Sequence, residues 1–138
     1  HIAHLGDSRA YLYRTGQLTQ LTRDHTLVEK LVQRGLIDPA TALTHPERHV
    51  LTKGLGKGIG MKPELTSTPV TPHDLFLLCS DGLTKMLEDA AIASILSRAN
   101  GDPHRACHDL IEQALNRGGE DNVTVIVVAG MPPPVTAV

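Results

Sequence analysis

Tryptophan is absent from this chain, and one phenylalanine and two tyrosines are its whole aromatic complement. So few rings leave almost no platform for stacking bases. With 13 basic against 15 acidic residues and a formal charge of −2, there is also no basic stripe to follow a phosphate backbone. Both shortages argue against nucleic acid as a partner. No apolar run approaches the roughly 20 residues that cross a bilayer, and no basic stretch leads into an apolar signal core. A soluble domain with no membrane partner is therefore expected. Cysteine is scarce as well: Cys79 and Cys107 are far apart and form neither a CxxC pair nor a disulfide framework. Each sits in an apolar pattern that suits a small buried thiol, which favours a reducing, cytoplasmic setting.

What is present is enough for one folded domain. A length of 138 residues and a hydrophobic share of 41% support a real core. Eight histidines are many, yet they show neither HExxH nor zinc-finger spacing. His104 and His108 are four apart on an expected helix and form the one pair placed to share a metal, against the plainer alternative of two solvated side chains. The chain opens HIAHLGD, already strand-like and without methionine, which reads as a piece of a longer protein.

Hydrophobic periodicity orders the elements. Ile2 to Leu5 is a short apolar run. RAYLYRT and QLTQLTR alternate around Thr15 and Gly16, so a β-meander with a two-residue turn is expected. Thr26 and Glu29 form a capping box before Leu27, Val28, Leu31 and Val32, and Gly35 is placed to end that helix. A second helix starts at Asp38 and Pro39. Leu43 to Lys62 has no clear period and reads as a loop. Glu64 to Val70 is a candidate strand, and Asp74 to Ser80 is a stronger one, apolar on both faces and so central. Helical spacing follows from Leu87 to Leu96 and again from Ala106 to Leu115, the latter behind Asp102 and Pro103. RGGEDN leads into the β-branched strand VTVIVVA, and residues 131–138, MPPPVTAV, read as a Pro-rich tail.

Three aspartates share a position. Asp7 follows IAHL, Asp81 follows DLFLLCS, and Asp121 precedes VTVIVV. If the last strand runs antiparallel to the other two, all three carboxylates meet at one edge of a sheet. Carboxylates within about 4 to 6 Å raise one another's pKa, so an ionised cluster needs a cation. All-oxygen donors with no cysteine suit a hard divalent ion, Mg²⁺ or Mn²⁺. Gly6, Gly82, Gly118 and Gly119 give the backbone room beside them. Taken singly, GD, DG or ED next to a strand is an ordinary turn, and only the constellation suggests more.

The residues also carry a resemblance. GDSRAYLYRTGQLTQLTRDH, HVLTKGLG, LFLLCSDGLTKML and GGEDNVTVIVV, in this order, are similar to the later motifs of the metal-dependent protein Ser/Thr phosphatases of PPM type, in particular the bacterial ones. The likeness covers residues 1–130, and it implies the C-terminal part of a catalytic domain. The fold implied is α+β, a β-sandwich of two largely antiparallel sheets flanked by helices, with its N-terminal strands missing. It also implies two Mn²⁺ or Mg²⁺ ions with Asp81 and Asp121 as ligands, and Asp7 as holder of a third. The segment 24–60 resembles the flap beside the active site, where His45 and His49 are substrate-proximal candidates, surface placement being the alternative for both.

The reaction implied is hydrolysis of phosphoserine or phosphothreonine in proteins by metal-activated water, with no covalent enzyme intermediate. Phosphoprotein substrates and a Ser/Thr kinase are the partners implied. An early Asp-Gly motif, an acidic residue near it and a phosphate-gripping arginine belong to the same pattern and do not occur here, so this chain alone is a candidate for inactivity. The competing possibility is a scaffold domain with a degenerate phosphatase fold, its aspartates serving as turns. A calcium module is disfavoured because no EF-hand loop occurs.

Overall fold

The computed structural model describes residues 1–56 and 61–130. Residues 57–60 at the end of the expected flap, and the expected Pro-rich tail, lie outside the described residues. The chain divides into two compact units, one formed by His1–Ser8 with Thr22–Ser67 and the other by Arg9–Leu21 with Thr68 onward. Together they hold six strands and five helices among the described residues, with two antiparallel sheets.

In the first unit β1 (Ile2–His4) pairs antiparallel with β4 (Glu64–Thr66). This corrects the expected three-strand meander, because β1 does not join the strands that follow it. Gly6, at φ +123°, takes a backbone conformation open to glycine, and it falls in the break between β1 and β2 (Arg9–Arg14). The strand expected from Glu64 to Val70 is likewise shorter, only three residues long. Between them lies a helical excursion. Thr26 caps α1 (Leu27–Gln33), its hydroxyl accepting from the Glu29 amide at 3.3 Å, and Gly35 follows at φ +67°. Asp38 caps α2 (Pro39–Thr44), accepting from the Thr41 amide at 2.8 Å. A bridge between Thr26 and Leu51 closes the neck of the excursion, with the Leu27 amide donating to the Val50 carbonyl and Thr52 to that of His25.

The same unit buries two imidazoles face to face. His4 and His25 stack with ring centroids 4.8 Å apart, and neither ring nitrogen of His4 has a hydrogen-bond partner among the described residues. His25 is better provided: its Nδ1 accepts from the Gly6 amide at 3.0 Å, and its Nε2 lies 3.3 Å from Glu64. Burial, and then the neighbouring His25, hold the His4 pKa below its ordinary 6.5.

The second unit is built on a four-stranded antiparallel sheet in the order β3 (Gln17–Gln20), β2, β5 (Leu75–Cys79), β6 (Val125–Ala129). Thr15 and Gly16 both take positive φ, 49° and 85°, as a two-residue hairpin turn with the twist of the strands requires. β5 is central by pairing, as expected, but its side chains alternate. Leu75, Leu77 and Cys79 are buried, whereas Leu78 is 40% exposed and its neighbours Ile126 and Val128 on β6 are exposed too. Against the buried face lie α3 (Asp81–Met86), α4 (Asp89–Ala99) and α5 (Pro103–Asn116), with Leu83, Leu87, Ile92, Ile95, Leu96 and Leu110 almost wholly enclosed. Each such side chain contributes about 1.5–3 kcal/mol by leaving water, so an aliphatic core compensates for the missing aromatic rings. Tyr11 is fully buried, its hydroxyl donating to Asp89 and accepting from Arg9.

The helical stretch after Gly82 is two helices rather than one. Leu87 is extended at φ −123° and breaks the run, so α4 begins afresh behind Glu88. Leu87 is 1% exposed. The helical period and the break both bury it, which is why periodicity alone did not reveal the interruption.

β5 is anchored at its entry by Asp74. This carboxylate is 1% exposed and accepts four hydrogen bonds: two from Arg14, both 2.7 Å, and two from the Thr71 amide and hydroxyl at 2.6 and 2.9 Å. Arg14 above all holds its pKa well below the ordinary 3.8. A carboxylate with a depressed folded pKa adds stability that is fully present above the unfolded value and is lost as pH falls. Asp74→Asn is expected to cost about 2 kcal/mol at pH 7, and the gap between variant and wild type should narrow below about pH 4, as read by urea unfolding. His4 has the matching behaviour of a buried neutral base. Its folded pKa is lowered, so unfolding takes up a proton below the ordinary 6.5 and stability falls as pH drops through that value. His4→Phe should flatten this part of the stability profile between about pH 7 and 5, and an unchanged profile would refute the assignment.

Candidate metal centre

The antiparallel register of β5 and β6 decides what can meet. Cys79 pairs with Val125, so the exit of one strand and the entry of the other share an end of the sheet. Beyond that end Ser80 ties the two connections together: its hydroxyl donates to the Asn122 carbonyl and accepts from the Thr124 amide, both at 3.0 Å, while its amide donates to the Thr124 carbonyl. Ser80 occupies the N-cap position of α3 but makes no side-chain cap, because its hydroxyl is spent on this clasp. Gly82 is the space the clasp needs. A Cβ there would collide with the Asn122 carbonyl oxygen.

Asp81 is the first residue of α3, and Asp121 stands across from it. Lys85, one turn further along α3, places its Nζ 2.6 Å from Asp81 and 2.8 Å from Asp121. The two carboxylates raise its pKa, the hydrogen bond to Asp121 contributing most and that to Asp81 next. Both aspartates keep access to solvent, their side chains 35% and 44% exposed. Two carboxylates thus converge on one cation. The donor set is all oxygen, accessible and negatively charged, which fits a hard divalent ion.

The structure brings together Asp81 and Asp121. Asp7 lies in the turn after β1, half-buried, in the other unit. His45 is the C-cap of α2, its Nδ1 accepting from the Glu47 amide at 3.1 Å, and His49 is exposed in the following turn. Of the expected histidine pair on α5, both members are exposed. His108 lies with Asp109 and Glu112 in a group whose ligand atoms fall within 4.8 Å, and His104 is not part of it.

Lys85 is the residue that sequence reasoning missed. The signal was available, since Asp81 and Lys85 are four apart in a helix and an acid placed N-terminal to a base at that spacing forms an ion pair. The clasp of Ser80 had no comparable signal, because it depends on strand register. Gly82→Ala is expected to destabilise the protein by about 1–3 kcal/mol through the forced separation of the two connections. Urea unfolding tests this, and a variant as stable as wild type would show that the clasp has slack.

Comparison with known proteins adds to this geometry. Residues 47–123 match the family model described as protein phosphatase 2C. The chain is 44% identical over 126 residues to the serine/threonine protein phosphatase PstP of Mycobacterium tuberculosis, which covers 91% of this chain and 24% of that protein. It is 39% identical to the serine/threonine phosphatase stp of Listeria welshimeri, over 92% of this chain and 50% of that one. Among solved structures, the M. tuberculosis phosphatase PstP/Ppp superposes with a TM-score of 0.84 at 44% identity, covering 94% of this chain and 53% of that one. A PstP catalytic domain in complex with two manganese ions gives 0.80 at 40% identity, again over 94% and 53%. The chain spans about half the length of these structures and a quarter to a half of the curated relatives. Among the described residues no helix is long and apolar enough to cross a membrane. With a family model over more than half its length and two antiparallel sheets with helices as in the solved relatives, this chain belongs to the protein phosphatase 2C family.

Proposed function

We propose that this chain supplies one side of the active site of a metal-dependent protein phosphatase acting on phosphoserine and phosphothreonine. The observation that carries the proposal is the meeting of Asp81 and Asp121 at a single cation, on a chain of this family. Mn²⁺ or Mg²⁺ is the ion class its oxygen donors suit, and the manganese found in the PstP catalytic domain supports the same choice. Asp7 is proposed as a ligand of a further ion.

Divalent ions, when bound here, supply Lewis acidity toward phosphoryl oxygens and an activated water. The chain's own residues do the positioning. Asp81 and Asp121 present carboxylate oxygens from two connections that the Ser80 clasp holds together. Ser80 itself is unsuited to nucleophilic attack, since its hydroxyl is committed to the Asn122 carbonyl and the Thr124 amide, and among the described residues no imidazole is hydrogen-bonded to it. The segment 24–60 is proposed as a flap over the substrate, with His45 and His49 as the side chains offered to it. Phosphoproteins modified by a Ser/Thr kinase are the proposed substrates. A cytoplasmic setting, with a role in signalling there, is proposed for the chain.

The test uses the full-length protein that carries this chain. Mn²⁺-dependent release of phosphate from a phosphothreonine peptide should fall by about two orders of magnitude or more in Asp81→Asn and in Asp121→Asn, with circular dichroism unchanged. Turnover that survives both substitutions would sink the proposal.

A further inference from the structure

We infer that Lys85 is a tethered counter-ion of the Asp81–Asp121 pair, which a divalent ion must displace, so that this one residue sets how tightly the pair takes metal. The inference rests on the proposed role of Asp81 and Asp121 as metal ligands.

Three observations carry it. First, the ammonium nitrogen is within hydrogen-bond distance of both carboxylates, at 2.6 and 2.8 Å, and so it stands where an ion shared by them would be held. Second, the contact is not incidental to packing. Lys85 lies on α3 one turn beyond Asp81, its side chain is 27% exposed, and it is not among the buried residues of that helix. Lysine is a compact charge on a flexible four-carbon stem, which suits a cation that arrives and leaves. Third, the charge count matters. With Lys85 in place the pair presents one net negative charge rather than two, and an incoming divalent ion meets both a weaker attraction and a positive neighbour a few ångströms away.

The same ammonium offsets the repulsion that would otherwise force the two carboxylates apart. It therefore holds the ligands in place before metal arrives, at the cost of competing with it. In effect this part of the centre carries a cation of its own, whereas a neutral or acidic residue at position 85 would leave the full charge of the pair to the metal.

The experiment is a titration of Mn²⁺ alone, by calorimetry and by the electron paramagnetic resonance of free Mn²⁺, into wild type, Lys85→Met, Lys85→Gln and Lys85→Arg. Both neutral variants should bind Mn²⁺ on the order of tenfold more tightly, and Lys85→Arg should stay near wild type. Binding gained by a neutral variant where wild type shows none supports the inference still more directly. Equal or weaker binding in a neutral variant whose urea midpoint matches wild type overturns it, since an ammonium that merely organises the ligands would be missed when removed. Asp81→Asn and Asp121→Asn separate the two levels. If they leave Mn²⁺ binding intact, the ligand assignment has failed and the inference falls with it. If they abolish binding while Lys85→Met does not strengthen it, only the role of Lys85 is lost.

Discussion

The site depends on a pairing register. Because Cys79 sits opposite Val125, the chain leaves β5 and enters β6 at the same end of the sheet, and every later feature is a consequence of that adjacency. A shift of one residue would turn the inward side chains of β6 outward. It would also carry Asn122 and Thr124 away from Ser80. The clasp of Ser80 and the absence of a Cβ at residue 82 then bring two connections within reach that are some forty residues apart in sequence. Only at that separation can one ammonium satisfy both carboxylates.

Much of this was legible in the residues, and the remainder was not for physical reasons. Helix starts were readable because capping is local: Thr26, Asp38 and Asp102 all accept the backbone amides expected of them. The hairpin at Thr15 and Gly16 was readable for the same reason, since positive φ at two successive residues restricts the sequence. Strand partners were harder. The separation of β1 from β2 turns on four residues, Leu5 to Ser8, and no periodicity spans them. The exposed apolar residues Leu78, Ile126 and Val128 made their strands look buried on both faces, whereas the buried residues of β5 and β6 are Leu75, Leu77, Cys79 and Val127, all on one face.

The candidate centre divides the same way. The meeting of Asp81 and Asp121 was conditional on the last strand running antiparallel, and β6 does pair antiparallel with β5. Asp7 follows β1, which pairs with β4 rather than with the strands beside Asp81 and Asp121, so strand pairing does not decide whether the three meet. The need for a cation followed from electrostatics alone, but its identity did not. Like charges demand an opposite charge of any kind, and a lysine four residues along the helix meets that demand as readily as a dissolved ion does.

Asp74 and Asp81 bracket β5, and their contrast explains why residue type could not separate scaffold from site. Asp74, at the entry, is closed: it is buried, accepts four hydrogen bonds, and gains its stability from a fixed arginine and the turn at Thr71. A ligand could reach it only by breaking those bonds, and burial would make the broken state expensive. Asp81, at the exit, is open. It is a third exposed, and the side-chain partner that neutralises it is a flexible lysine near solvent, whose pairing is worth little to the fold. The same carboxylate chemistry is thus locked at one end of the strand and available at the other. What makes Asp81 a site is that its partner can be exchanged at small cost.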